Sequence, residues 1–368
     1  MPFLEQSKMD GRRRLASLVL DSGWSVSGAA REMGVSRQTA HEWVERAKQM
    51  GLAGMDVRSR RPKHIARLTP DDITAAVLAI AEQYPAWGPK TLYALLWPKG
   101  EAPVCERTVA RILARTGRRV ALHKSSPAAE IRFERENSND LWQTDFKRVG
   151  HHRLRSDSLS ILDDAHRYCI ALRQLPDQTL ASAWSVMWEA FGEYGLPLKV
   201  LSDNGSAFRN NATWRWSLFD LRLMLLGIRS GHGRPYHPQT QGKVERFHGT
   251  MQREICFQKD SDVQKELHAF RDRYNWIRPH HALDMRTPGS IYTPSPRPRP
   301  ATMPEPFFPE GAVIRKCHDN GTISYKGQIY RVGKALGGLP IGILTSETES
   351  PKVVWGNFIL AVLDDMKV

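Results

Sequence analysis

Leu198-Lys-Val-Leu-Ser202, running into Asp203-Asn-Gly-Ser-Ala-Phe208, is the stretch on which the reading of this chain turns. A short, mostly apolar run after Gly195-Leu-Pro197 predicts a buried strand, because strands covered on both faces lose their polar alternation. The strand ends on an acid, and Asn204-Gly205 turns the chain there. In an open α/β sheet, ligands approach at the ends of such strands. Upstream, Trp142-Gln-Thr-Asp-Phe146 sets a second acid, Asp145, inside an extended apolar segment at 141–147. Residues 159–162 and 168–172, joined by Asp163-Asp164-Ala165-His166, predict a hairpin. Residues 179–194 and 214–226 read as helices, and Thr240 opens another that runs to about Phe257. A hairpin, a helix, a strand and further helices make an α/β layout around a mixed sheet.

The helix after Thr240 carries a third acid. Val244, Phe247, Met251 and Ile255 recur on one face, which predicts that they enter the core. Glu245 lies at the edge of that stripe with Gln241, His248 and Gly249, and can point along the sheet toward Asp145 and Asp203. Magnesium and manganese prefer oxygen ligands, so three carboxylates from separate elements suit a pair of such ions at a phosphodiester. Without a cation the carboxylates would repel one another and their pKa values would rise. Each acid also has an ordinary role open to it: strand-edge polar residue, turn former or solvated helix residue.

The rest of the chain separates by composition. Of its 368 residues, 53 are Lys or Arg and 39 Asp or Glu, a net charge of +14 that makes nucleic acid the first partner to consider. No apolar run approaches the roughly 20 residues that span a bilayer, and Met1–Arg14 is too charged for a signal peptide. Four scattered cysteines without a CxxC pair predict reduced thiols in a cytoplasmic protein.

Residues 1–54 hold a short helix, a Gly34-Val35 turn and a Ser36-capped second helix, a helix-turn-helix pattern. Ala29, Ala30, Met33, Val35, Ala40 and Trp43 would join the helices, leaving Arg37, Gln38 and His41 outward where recognition helices read bases. An ordinary helical hairpin has the same pattern. Residues 55–68 form a basic linker whose Arg58, Arg60, Arg61 and Lys63 suit phosphates. Residues 69–124 read as a second helical unit with Arg107, Arg111 and Arg115 at fourth-residue spacing on one face, a DNA contact or a solvated stripe. After a linker at 125–138 comes the α/β zone, 139–293. A Pro-rich stretch at 294–310 reads as a stiff spacer, and short strands in 311–368 predict a small β-barrel.

Taken together, Trp142-Gln-Thr-Asp-Phe146, Leu201-Ser-Asp-Asn-Gly-Ser-Ala-Phe208 and Arg234-Pro-Tyr-His-Pro-Gln-Thr-Gln-Gly-Lys-Val-Glu-Arg-Phe-His248 resemble the retroviral-integrase-type catalytic core of insertion-sequence transposases of the DDE superfamily. Tyr274-Asn-Trp-Ile-Arg-Pro-His-His-Ala-Leu-Asp-Met-Arg-Thr-Pro288 resembles the segment that closes that core. The resemblance covers about residues 140–292. It implies an RNase H-like fold and a metal-binding catalytic triad of Asp145, Asp203 and Glu245, with two Mg2+ ions per site and Mn2+ able to substitute. The interval from Asp203 to Glu245 holds 41 residues, longer than the family usually has, and 210–226 is the expected place of the excess. Asp163 and Asp164 fall in the hairpin turn, outside the triad. Lys243 and Arg246, beside Glu245, could contact DNA phosphates.

The resemblance further implies a DNA transposase that binds element-end inverted repeats, cleaves there and transfers the strand to target DNA. It would act in a bacterial cytoplasm, associated with the nucleoid, as a homodimer or higher oligomer on double-stranded DNA. An ATPase helper is possible and no membrane is involved. Two other functions share these residues: a DNA-binding regulator or targeting subunit with an inactive core, and a two-metal nuclease without strand transfer.

Overall fold

The computed structural model describes residues 8–51, 69–98, 100–118, 135–151, 154–209, 216–233, 242–346 and 349–366. The chain divides into two compact units, Met1–Leu68 and Thr69–Val368. In the first, α1 (Lys8–Leu20), α2 (Val26–Glu32) and α3 (Arg37–Met50) enclose Leu15, Ala29, Ala30 and Ala40. Serines cap both later helices: Ser25 Oγ accepts from Gly28 N–H and Ser36 Oγ from Thr39 N–H, each at 3.1 Å. Val35, expected between the helices, is 38% exposed. It follows Gly34, whose positive φ of 63° swings the turn outward.

The second unit begins with three helices, α4 (Asp71–Gln83), α5 (Pro89–Leu96) and α6 (Glu106–Arg115), packed around Val77, Trp87, Leu92, Val109 and Leu113. The central sheet follows. β1 (Trp142–His151), β2 (Leu154–Asp163) and β3 (Cys169–Leu175) are an antiparallel meander, and β4 (Lys199–Ser202) and β5 (Arg229–His232) add in parallel on the other side of β1. The order β3-β2-β1-β4-β5 is the mixed sheet expected. Side chains alternate across β1, so its two faces meet different helices. Trp142 packs with α7 (Leu180–Tyr194) and with Phe219 and Leu223 of α8 (Leu218–Leu225). Val149 packs with α9 (Gly242–Glu254) and α10 (Val263–Asp272).

The closing motif acts on edge strand β3. Buried Asn275 accepts from Cys169 N–H (2.8 Å) and donates to Cys169 O (3.0 Å), as a neighbouring strand would. Tyr292 stacks on Tyr168 at 4.2 Å and donates to Asn139, which also accepts from the Trp142 indole.

Two parts of the C-terminal region differ from expectation. The expected barrel is an open four-stranded antiparallel sheet, built from β6 (Val313–Lys316), β9 (Pro340–Leu344), β10 (Lys352–Trp355) and β11 (Phe358–Val362). Beside it lies a separate hairpin of β7 (Thr322–Tyr325) and β8 (Gln328–Arg331). Its apolar side is covered by α8, whose Leu221, Met224 and Leu225 join Ile341, Ile343 and Trp355, so closure is not needed to bury it. A helix apolar on both sides is a buried helix, and α8 is one: Phe219 and Leu223 face the central core.

The Pro-rich stretch is a strap, not a spacer. Ser295 N–H donates to Tyr194 O, and Arg297 O accepts from Leu196 N–H. The Arg297 guanidinium donates to the carbonyls of Pro197 (2.8 Å), Leu226 (3.0 Å) and Gly227 (3.1 Å). Arg299 lies 4.4 Å above the Trp188 ring. Arg297→Ala should therefore cost about 2–3 kcal/mol in denaturant unfolding, and Arg297→Lys should recover little of it, because an ammonium lacks the planar fork.

Candidate active site

Register explains why the two strand acids meet. β1 and β4 pair in parallel with Trp142 opposite Val200, Gln143 opposite Leu201 and Thr144 opposite Ser202. One step further sets Asp145 against Asp203, at strands about 4.8 Å apart. On the other side of Asp145 lies Ser160 of β2, whose hydroxyl donates to Asp145 O (3.1 Å). Burial, and after it the Asp203 charge, pushes the Asp145 carboxyl up to about 7, with a smaller push from Glu245. The repulsion expected of neighbouring carboxylates without a counter-cation is present.

Asp203 begins the loop after β4. Its Oδ1 accepts from Gly205 N–H at 3.0 Å, and a Cβ at 205 would stand 2.9 Å from that oxygen, so a larger residue there would displace the carboxylate. Phe208 then buries its ring against Phe146 and Phe219 and anchors the loop. Arg209 donates to Asn204 Oδ1 and Asn204 donates to Gly233 O.

α9 supplies the third acid. Val244, Phe247, Met251 and Ile255 are buried as the periodicity predicts, while Glu245 is exposed. Thr240, the expected cap, lies outside the described residues. His248, one turn beyond Glu245, has a role that the sequence patterns do not assign. It is 4% exposed, its Nε2 stands 2.8 Å from Ser160 Oγ and its Nδ1 3.5 Å from Asp145 Oδ2. Burial, reinforced by the Lys147 charge, pushes the ring down to about 3, so it is neutral at physiological pH. The signal that could have found it is its place at i+3 from Glu245, on the inner edge of the same stripe.

The donor set fits a hard divalent cation: oxygens only, on two adjoining strand ends, with one carboxyl strained by its neighbour's charge. Among the described residues no group of three His, Cys, Asp or Glu side chains stands together tightly enough to hold an ion. The unit present is the Asp145–Asp203 pair, with the Glu245 charge reaching it.

Asp163 ends β2 and Asp164 opens the expected turn to β3, and both are buried. Asp163 accepts from the backbone of Asn139 and His166, and burial pushes it up to about 6. Asp164 accepts from Gln143 and pairs with Lys243 at 2.6 Å. Lys243, expected at a DNA phosphate, is thus held in the turn, whereas Arg246 is exposed. Beyond Asp145 along β1, a cleft opens between Lys147, Arg148, His151 and Arg155 on one wall and Met251 and Ile255 on the other.

Arg37, Gln38 and His41 are exposed on the first turns of α3, and Arg107, Arg111 and Arg115 are exposed along α6. Arg58, Arg60, Arg61 and Lys63 lie outside the described residues. The four cysteines are unpaired, and no helix among the described residues is long and apolar enough to cross a membrane.

Comparison with models of known families agrees with this anatomy. Residues 135–238 and 226–288 match models of the integrase core domain, and residues 10–56 and 39–113 match homeodomain-like domain models. Among solved structures, the HTLV-2 integrase catalytic core domain in complex with magnesium is similar at 17% identity, covering 42% of this chain and 97% of its own, with a TM-score of 0.35. The BIV integrase catalytic core domain is similar at 22% identity, over 42% of this chain and 93% of its own, with a TM-score of 0.32. The simian T-cell lymphotropic virus intasome, in complex with PP2A regulatory subunit B56 gamma, is similar at 16% identity over 78% of this chain and 98% of its own, with a TM-score of 0.39.

Proposed function

Because this chain carries an integrase core domain and homeodomain-like DNA-binding modules, we propose that it is a DNA transposase that binds element ends, cleaves them and joins them to target DNA. The observation that carries this reading is that Asp145 and Asp203 directly follow the last paired residues of β1 and β4, Thr144 and Ser202, and that the charges of Asp203 and Glu245 both reach Asp145. These three carboxylates would hold two magnesium ions, which when bound polarise the attacked phosphodiester and stabilise the leaving oxygen. Neutral His248 and Ser160 keep Asp145 in place. The exposed basic residues of α3 and α6 bind and register DNA, and the Lys147–Arg155 cleft holds the phosphate backbone leading from the site.

The chemistry is two in-line displacements. Water attacks phosphorus at the element end, the bond to the 3′-oxygen breaks, and a 3′-hydroxyl is freed. That hydroxyl attacks a target phosphodiester, forms the new P–O bond and releases the target's own 3′-oxygen, with no covalent protein intermediate. Pairing of two ends requires at least two protomers on DNA.

The test is a strand-transfer assay with magnesium, labelled element-end DNA and a plasmid target. Joined products support the transposase. Cutting without joining makes the chain a nuclease, and specific binding without cutting makes it a regulator. At the recognition helix, Gln38→Ala should cost about 1–3 kcal/mol in binding to the element end and relax discrimination at one base pair. Equal binding of wild type and variant to native and scrambled ends would place base reading elsewhere.

A further inference from the structure

A buried polar row crosses the sheet directly behind the carboxylate pair. Register places Thr144 of β1, Ser202 of β4 and His232 of β5 side by side. They lie on the face opposite Asp145 and Asp203, since neighbouring residues of a strand point to opposite faces. This is the face of Trp142, Val200 and Phe219, where apolar side chains would pack equally well. Buried polar groups are costly unless bonded; the Thr144 hydroxyl has no partner among the described residues, but Ser202 and His232 are bonded in series with an acid of α8. Ser202 Oγ lies 3.0 Å from His232 Nδ1, and His232 Nε2 lies 3.0 Å from Asp220 Oδ1 of α8. Ser202 and Asp220 are each 1% exposed.

The acid at the end of this chain fixes the direction of the bonds it receives. Asp220 Oδ2 accepts from the backbone and hydroxyl of Ser217, closing the cap of α8. Burial alone would raise the Asp220 carboxyl, but the His232 bond and charge, with the serine bonds, hold it below the usual range. A carboxylate only accepts, so His232 Nε2 carries the hydrogen and donates to Asp220 Oδ1. The residue after Asp203 is tied to the same strand end: Asn204 Nδ2 donates to Gly233 O at 2.8 Å. Gly233 N–H in turn donates to Ser202 O at 3.0 Å. Asp203 is therefore bracketed on both sides by bonds to residues 232 and 233.

We propose that His232 and Asp220 are positioning residues for the metal-binding carboxylate of Asp203, acting through Ser202. The proposal rests on the transposase reading for its chemistry, but the geometry it sets is that of the carboxylate itself. α8 carries the device because it is immobilised from both sides; the Trp355 indole of the C-terminal sheet donates to Leu221 O, one residue from Asp220.

The test titrates Mn2+ into the full-length chain and reads the free-ion electron paramagnetic resonance signal, with strand transfer followed in parallel. His232→Ala should weaken Mn2+ binding roughly tenfold or more, the usual effect of losing a partner that orients a ligand. In His232→Gln the amide nitrogen can donate to Asp220 and the amide oxygen can accept from Ser202, so this variant should recover most of the affinity. An alanine variant that binds Mn2+ as wild type does would overturn the proposal. So would a glutamine variant no tighter than alanine at an equal melting temperature. The Mn2+ affinities decide the positioning role whether or not strands are joined. A wild type that binds Mn2+ and joins nothing sinks only the transposase reading.

Discussion

Asp203→Asn should abolish strand transfer, by about 10³-fold or more, while leaving DNA-end binding and the melting temperature close to wild type. The side chain keeps its volume and its amide oxygen can still accept from Gly205 N–H, so the turn survives. On the proposed function, the loss is the negative charge that would hold a divalent ion and, through it, several kcal/mol of transition-state stabilisation, each 1.4 kcal/mol being about tenfold in rate. Glu245→Gln should fall by a similar factor with even less effect on stability, because Glu245 is exposed and α9 is held by Val244, Phe247 and Met251. Cleavage and joining products on one labelled element end, resolved over a magnesium series, check both. A Glu245→Gln variant that cut at the wild-type rate would remove Glu245 from the site.

Phe208→Ala should lower the stability of the larger unit by about 3–5 kcal/mol, the range for truncating a fully buried aromatic. The ring is fully buried between Phe146 (5.3 Å) and Phe219 (5.0 Å), joining β1 to α8 under the Asp203 loop. Activity should fall further than the unfolded fraction explains, since the loop loses its far anchor. Denaturant midpoints beside joining rates measured well below the transition separate the two effects. A loss under about 1 kcal/mol, far below the range for such a truncation, would mean that the loop is held by Arg209 and Asn204 instead.

Much of this fold is legible in the sequence because it rests on local patterns. Thr179 caps α7, Val244 to Ile255 mark the inner face of α9, and the tail at 311–368 forms the short strands expected of it. The strand acids are legible too, as polar residues interrupting apolar runs. Less visible is whatever depends on a distant partner. α8 gives no amphipathic signal because two separate cores bury it. The strap's prolines describe stiffness, and nothing local says that Arg297 reaches a carbonyl 100 residues away. Lys243 reads as a free cation until Asp164 is found beside it. His248 and His232 read as ordinary histidines, since one meets Ser160 through the packing of α9 on the sheet and the other meets Ser202 through strand register.

The strap also orders events in time. Sheet and flanking helices are made first, but the carbonyls of Pro197, Leu226 and Gly227 wait for Arg297, and the outer side of α8 waits for β9 and β10. Contacts so distant along the chain form slowly. A chain that stopped soon after Glu245 would therefore hold all three candidate acids while leaving the outer side of α8 bare.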